Sequence, residues 1–447
     1  MSFDALSRRL AGTFAAGGDP MYDRLATGFN LRLKPAPAAV VEALDARDVV
    51  ETVRFAASAG LPVAVQATGH GLADTMDGAL LVHTGRLDGC MVHPDGWARV
   101  GAGVRWQQVL DAAAPHGLAG LCGSAPAVGV VGYTTGGGLS PVGRTFGWAA
   151  DRVRAAEVVT GDGELRRVTA SEHPDLFWAI RGGKAAAGIV TALEFDLVSQ
   201  PSLYAGALYF DGTDAARVTH AWASWCAELP DTATTSIAFL QLPPLPGVPP
   251  PLAGKFTVAV RFVWTGPADQ GEAALAPMRA AAAPLIDTVQ TIPFAAVGMV
   301  HSDPEEPIAV HEETDLLHAL PAAAVDALLE VAGPGSGSPQ VIVELRQMGG
   351  ALAAAPAQPS ALCHRDAAFN LFAVGVLPGD EVLSHATRIR EALGSWATGG
   401  ALPNIGAAAG AARIARSYDE VTLSRLRDVV KRYDPAHVLR VGQVPDA

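Results

Sequence analysis

Chemistry in this 447-residue chain centres on one histidine, His70, set in the run Gln66, Ala67, Thr68, Gly69, His70, Gly71. A neutral imidazole is a competent nucleophile near pH 7. Glycine on both sides lets backbone N–H groups approach a ligand closely, because no Cβ intervenes and positive φ costs little. An anionic group such as a pyrophosphate suits that setting.

A second glycine run extends from Gly129 through Val130, Val131, Gly132, Tyr133, Thr134 and Thr135 to Gly136, Gly137 and Gly138. Neither run fits the dinucleotide-binding fingerprint, which needs an amphipathic helix and an acidic residue about 20 positions on. A Gly-Lys-Ser or Gly-Lys-Thr P-loop is also absent.

The elements that would position His70 follow from periodicity. Asp45 to Gly60 reads as a helix, with Asp48 and Glu51 as a capping-box pair, Val49, Val50, Val53, Ala56 and Ala57 at helical spacing, and Gly60 as its end. Pro62 to Val65 is then a short buried strand, followed by strands at Leu80–Val82 and Arg99–Gly103. Trp106, Val109, Leu110 and Ala113 space a helix closed by Pro115. Ala155–Thr160 and Leu165–Val168, joined by Gly161-Asp162-Gly163, form a hairpin, and Ile189–Leu197 is one more strand.

From Leu203 to about Leu393 strand-like segments (203–210, 235–241, 256–264, 341–348, 369–376) alternate with helix-like ones (215–228, 268–281, 322–331, 380–396), the pattern of an antiparallel sheet with helices on one face. A final helix within 417–441 carries Leu423, Leu426, Val430 and Tyr433 on one side. The fold class is α+β. We expect a two-part ligand-binding domain over 1–200, a substrate domain over 201–396, and a return to the first domain over 397–447.

Composition narrows the function. The chain is 49% hydrophobic and 17% charged, as in a globular protein. A formal charge of -13 disfavours nucleic acid and anionic membranes as partners. The uncharged stretches 232–254 and 393–412 are broken by proline and glycine, so neither reads as a membrane span. With no apolar core after Arg8 and Arg9, a cytoplasmic location is expected. Cys90, Cys122, Cys226 and Cys363 lack zinc or redox spacing and read as reduced thiols. The acidic, histidine-bearing stretch from His301 to His318 reads as a solvated loop before a helix rather than a metal site, so no metal is expected.

From about Pro35 to Val198 the chain resembles the FAD-binding (PCMH-type) domain of the vanillyl-alcohol oxidase superfamily, in its berberine-bridge-enzyme-like branch. The resemblance rests on Gly69-His70, Val100 to Trp106, Pro115 to Leu118, Val128-Gly129 through Gly136-Gly137-Gly138, Phe146-Gly147, Ala156 to Thr160 and Pro174 to Gly183. It implies FAD attached covalently through His70. It further implies cofactor contacts from Gln66, Ala67, Thr68, Gly69 and Gly71, from Ala125, Val128, Gly129, Gly132 and Tyr133, from Gly136, Gly137 and Gly138, and from Gly188, Val190 and Asn404. Some members carry a second link from a cysteine where this chain has Ala125, and Cys122 lies three residues too early. A single bond is expected, as in the histidine-only members.

Two departures stand out. Where the family continues with glycines and Asn-Phe-Gly, this chain has Lys184-Ala185-Ala186-Ala187-Gly188. Where many oxidases place a base tyrosine two residues before an asparagine, it has Leu402-Pro403-Asn404. Candidates for catalysis are therefore Tyr133, Glu344 (sharing a strand face with Arg346), Gln347 on the opposite face, His364 and Asn404. The resemblance implies an FAD-dependent oxidase removing hydride from a C–H next to oxygen or nitrogen of a small or natural-product molecule, with dioxygen as re-oxidant. The proline-rich loop 242–252 reads as a lid or a plain surface connection. Two other readings stay open: a non-redox flavoprotein catalysing isomerisation or cyclisation, and a flavin-free binding protein. Oligomeric state is not read from the sequence.

Overall fold

The computed structural model describes residues 3–71, 75–184, 186–406 and 411–441. Ala185, part of the departing loop, lies outside them.

Three sheets organise these residues. The first runs in the order Thr13–Ala16, Ala39–Glu42, Leu80–His83, Val63–Gln66, with its last two pairings parallel. Helix Ala46–Ala59 covers it, burying Val49, Val53 and Ala56 against Val41, Leu80 and Val82. The capping-box expectation is corrected. Asp45 is the N-cap, accepting from the backbone N–H of Arg47 and Asp48. The Asp48 carboxylate is buried and takes the N–H groups of Ala11, Gly12 and Leu44. A buried carboxylate that ties down a neighbouring loop is thus unavailable for a cap. Gly60 ends the helix at φ 67°, the left-handed conformation that favours glycine.

The second sheet is antiparallel, in the order Cys90–His93, Trp97–Gly101, Gly188–Asp196, Val153–Thr160, Leu165–Val168. It contains the expected hairpin, with Ala156 opposite Val168. Helix Trp106–Ala113 packs into its core through Trp106, Val109 and Leu110.

The third sheet, also antiparallel, runs Ile286–Asp287, Ser202–Asp211, Phe256–Trp264, Ala233–Gln241, Ile342–Gln347, Phe369–Val376, Val310–Leu317, with Gln290–Pro293 pairing beside Ser202–Asp211. Helices Ala215–Cys226, Ala268–Ala281, Ala322–Ala332 and Asp380–Ala392 cover one face, where Trp222, Leu275, Leu328 and Ile389 meet Val260, Val343, Leu345 and Leu371. The other face is turned toward the first two sheets.

One edge of that sheet departs from expectation. Val310–Leu317, read from sequence as part of an acidic loop, is a strand paired along its whole length with Phe369–Val376. Its charges are absorbed by tertiary contacts: Asp315 pairs with Arg390 at 3.3 Å and Arg416 at 2.8 Å. Helix Glu420–Tyr433 returns to the second sheet's side, burying Leu426, Val430 and Tyr433 in the same core as Leu176 and Ile180. Beyond it, the Val63 N–H donates to the Val438 carbonyl at 2.7 Å.

Candidate functional site

Between the first two sheets and the open face of the third lies a cavity of about 500 Å³. Three stretches wall it: the turn after strand Val63–Gln66, the segment 123–135, and the strands Val310–Leu317, Phe369–Val376 and Ile342–Gln347.

The turn carries Gln66 to Gly71, all lining the cavity. Gly69 has φ 70°, and a Cβ there would fall 2.3 Å from the Cα of Gly28, so only glycine lets the two backbones meet. The Phe29 N–H donates to the Thr68 carbonyl at 3.1 Å. The Phe29 ring stacks on the His70 imidazole with centroids 4.1 Å apart. His70 Nδ1 is 2.8 Å from Thr68 Oγ1, which fixes the ring. Burial pushes the imidazole pKa down to about 4; Arg105 adds to the shift and Asp303 opposes it. At neutral pH the ring is therefore uncharged and its lone pair is available.

Facing this turn, Gly129 caps the helix Val130–Thr135, so half of the second glycine run is helical. A Cβ at Gly129 would lie 3.7 Å from Thr68, which brings the two runs side by side. Ala125, Val128, Gly129, Gly132, Tyr133, Gly188, Val190 and Asn404 all line the cavity. Gly136, Gly137 and Gly138 do not: they pack against Asn404, against Leu362 and Trp148, and against Tyr133 and Ala149. These three pack closely against their neighbours after the helix. Cys122 is fully buried outside the cavity wall, and burial pushes its thiol up to about 12.

The catalytic candidates separate. Tyr133 borders the cavity and sets its ring edge-on to Trp106 at 5.6 Å, but burial raises its pKa well above the ordinary value. It stays a phenol and is no base near neutrality. Glu344 is a buried ionic hub: Arg261 at 2.7 Å, Arg346 at 2.8 Å, His301 at 3.4 Å and a 2.6 Å hydrogen bond from Ser236. Burial alone would raise its pKa, yet the two guanidiniums hold it well below the carboxylate range, too weak a base for the role. Gln347 points away and donates to the Cys226 carbonyl at 2.7 Å. His364 is spent on the Arg416 carbonyl at 2.8 Å, outside the cavity. Asn404 donates to the Tyr133 carbonyl at 2.5 Å. The loop 242–252 does not border the cavity, so the lid expectation is not supported.

Sequence reading missed Glu312. Strand alternation turns Val310 and Glu312 into the cavity beside Phe372, Val374 and Val376 of the neighbouring strand, leaving one carboxylate in an apolar wall with no ion-pair partner within 4.0 Å among the described residues. Burial raises its pKa to about 7, against the lowering pull of Arg413, Arg32 and Arg346. Arg346 borders the same space, its guanidinium held by Glu344. Asp303 lines the cavity as well. The missed signal was period-two alternation from Val310, hidden by five polar residues in succession.

The cavity suits a long, largely apolar ligand with polar ends. Gln66 Oε1, Tyr133 Oη and Asn404 Oδ1 are buried around it without hydrogen-bond partners among the described residues, and the glycines at 69 and 129 leave backbone exposed to a ligand. Comparison with known proteins gives the class. Residues 37–169 match the FAD binding domain family. The whole chain superposes on 6-hydroxy-D-nicotine oxidase of Arthrobacter nicotinovorans with TM-score 0.87 at 24% identity, covering 100% of both chains. It superposes on BBE-like 1 of Physcomitrella patens with TM-score 0.83 at 20% identity, covering 98% and 97%. The (R)-6-hydroxynicotine oxidase of Paenarthrobacter nicotinovorans is 32% identical over 206 residues, 44% of this chain and 45% of that protein. Residues 37–169 are thus similar to an FAD-binding domain, and the chain has the α+β, PCMH-type fold of those flavoprotein structures. Its matches to curated relatives span 34% to 63% of their length. Among the described residues no helix is long and apolar enough to cross a membrane.

Proposed function

We propose that the chain is an FAD-dependent oxidase acting on a small molecule that bears a hydroxyl or amine on the carbon to be oxidised. When bound, FAD supplies the two-electron acceptor for the hydride of that carbon, with dioxygen as the terminal oxidant. The observation that carries the reading is His70: an uncharged, oriented imidazole in the wall of an elongated cavity inside an FAD-binding domain.

Each wall has its task. Gln66 to Gly71 and Gly129 present backbone to the cofactor, and His70 is the proposed point of covalent attachment. Phe372, Val374 and Val376 keep water from the substrate side. Glu312 is the proposed base, in place of the tyrosine absent before Asn404: its carboxylate takes the hydroxyl or amine proton while the electron pair stays on oxygen or nitrogen. A carboxyl poised near pH 7 matches the driving force that general-base catalysis needs.

Anaerobic mixing with a panel of secondary alcohols and amines, 6-hydroxynicotine among them, tests this reading by absorbance. Bleaching of the flavin by a panel member supports it. A compound rearranged with no bleaching would favour the isomerase reading, which the missing tyrosine motivates.

A further inference from the structure

The loop that departs from the family pattern puts a lysine in the cavity wall. Lys184 has φ 56°, a left-handed conformation that is strained for a non-glycine residue. Its backbone is held there by an N–H donated to the Thr135 carbonyl at 3.0 Å. The side chain runs through glycine-made space: its Cδ would be 3.0 Å from a Cβ at Gly136, and its Nζ 3.8 Å from a Cβ at Gly71, the residue after His70. An ammonium has three protons to donate, and the hydrogen bond seen for it is one to the Gly132 carbonyl at 3.3 Å. Among the described residues no carboxylate lies within 4.0 Å of it. The charge that acts on it, Arg413, is of the same sign, and burial together with Arg413 pushes its pKa down to about 8, which leaves it mostly protonated at neutral pH. A partly buried cation without a counter-ion among the described residues favours an anionic partner, and this one borders the space where the glycine turn exposes its backbone.

We infer that Lys184 is an anion-binding residue of this cavity, whose ammonium pairs with a negatively charged oxygen of bound FAD. The inference rests on the flavin reading above and adds to it the group that stands where relatives have glycines and an Asn-Phe-Gly. FAD offers two such charges, the pyrophosphate and the flavin ring once reduced, and both call for the same cation.

The test uses the full chain with His70→Ala, so that binding is reversible, alone and combined with Lys184→Met or Lys184→Arg. FAD and ADP affinities are measured by calorimetry, and the midpoint potential of the bound flavin by dye equilibration. If the pyrophosphate is the partner, Lys184→Met weakens FAD and ADP alike by at least about tenfold, Lys184→Arg restores most of the loss, and the potential is unmoved. If the reduced ring is the partner, ADP binding is unmoved and the potential falls by about 30 mV for each tenfold lost in binding the reduced form. Unchanged FAD affinity, ADP affinity and potential in Lys184→Met would overturn the assignment and leave the flavin reading standing. No FAD binding in any variant, with the native circular dichroism spectrum retained, would overturn both.

Discussion

The two sides of the cavity are built on different principles. The side that carries His70 is made of backbone: Gly69 brings its main chain against that of Gly28, Gly129 sits beside the Thr68 side chain, and the histidine is fixed by one hydroxyl and one stacked ring. The side formed by the third sheet is made of side chains: an apolar wall, the Glu312 carboxylate with no ion-pair partner among the described residues, and Arg346 locked by Glu344. Backbone cradles tolerate few substitutions because the chain itself must pass. A side-chain wall can be rewritten residue by residue while the strands stay paired, so the first side suits a shared cofactor and the second a particular substrate.

The contrast can be broken most forcefully at Glu344. Replacement by alanine strands Arg261, Arg346 and His301 in the interior, and should cost about 3–5 kcal/mol in chemical denaturation; a loss below about 1 kcal/mol would mean that the sheet side does not depend on its ionic hub. Next comes Glu312→Gln. It should slow anaerobic flavin reduction by about 10²–10³-fold with the flavin spectrum unchanged, and remove a rise in rate through about pH 7, where the carboxyl ionises. The same raised pKa carries a stability consequence. The folded chain holds this proton above the unfolded carboxyl value, so Glu312 contributes progressively less stability as pH climbs toward 7. Glu312→Gln should therefore raise the melting temperature above pH 7 and have little effect below pH 4.

On the turn side, Gly69→Ala must place a Cβ 2.3 Å from Gly28 at positive φ, and should cost about 2 kcal/mol or more along with FAD incorporation. Thr68→Val removes a single hydrogen bond to His70 and should slow covalent incorporation only about fivefold, the equivalent of about 1 kcal/mol. Equal effects from these two changes would contradict a cradle made by backbone.

How far the sequence could be read follows the same division. Helix Ala46–Ala59, the hairpin after Ala155 and the turn at His70 announce themselves locally, through Asp45, Gly60, Gly161 to Gly163 and the glycines beside His70. The capping residue was misjudged by three positions because Asp48 serves a loop distant in sequence. Strand Val310–Leu317 was hidden because the arginines that neutralise it come from residues 390 and 416, far along the chain. Glu312 was lost with it. Glu344, Gln347 and His364 were chosen for their chemical type, and each proves to be engaged elsewhere, a matter of register and packing that no local pattern records. Gly136 to Gly138 share a glycine run with the cavity residues yet face into the protein.

The central claim is that His70 holds the cofactor, and the most direct measurement is an absorbance spectrum of purified protein before and after acid precipitation, for the wild type and His70→Ala. Yellow colour that stays with the wild-type pellet and leaves the His70→Ala pellet is the predicted result. Colour released into the supernatant from both proteins, or retained in both pellets, would contradict it.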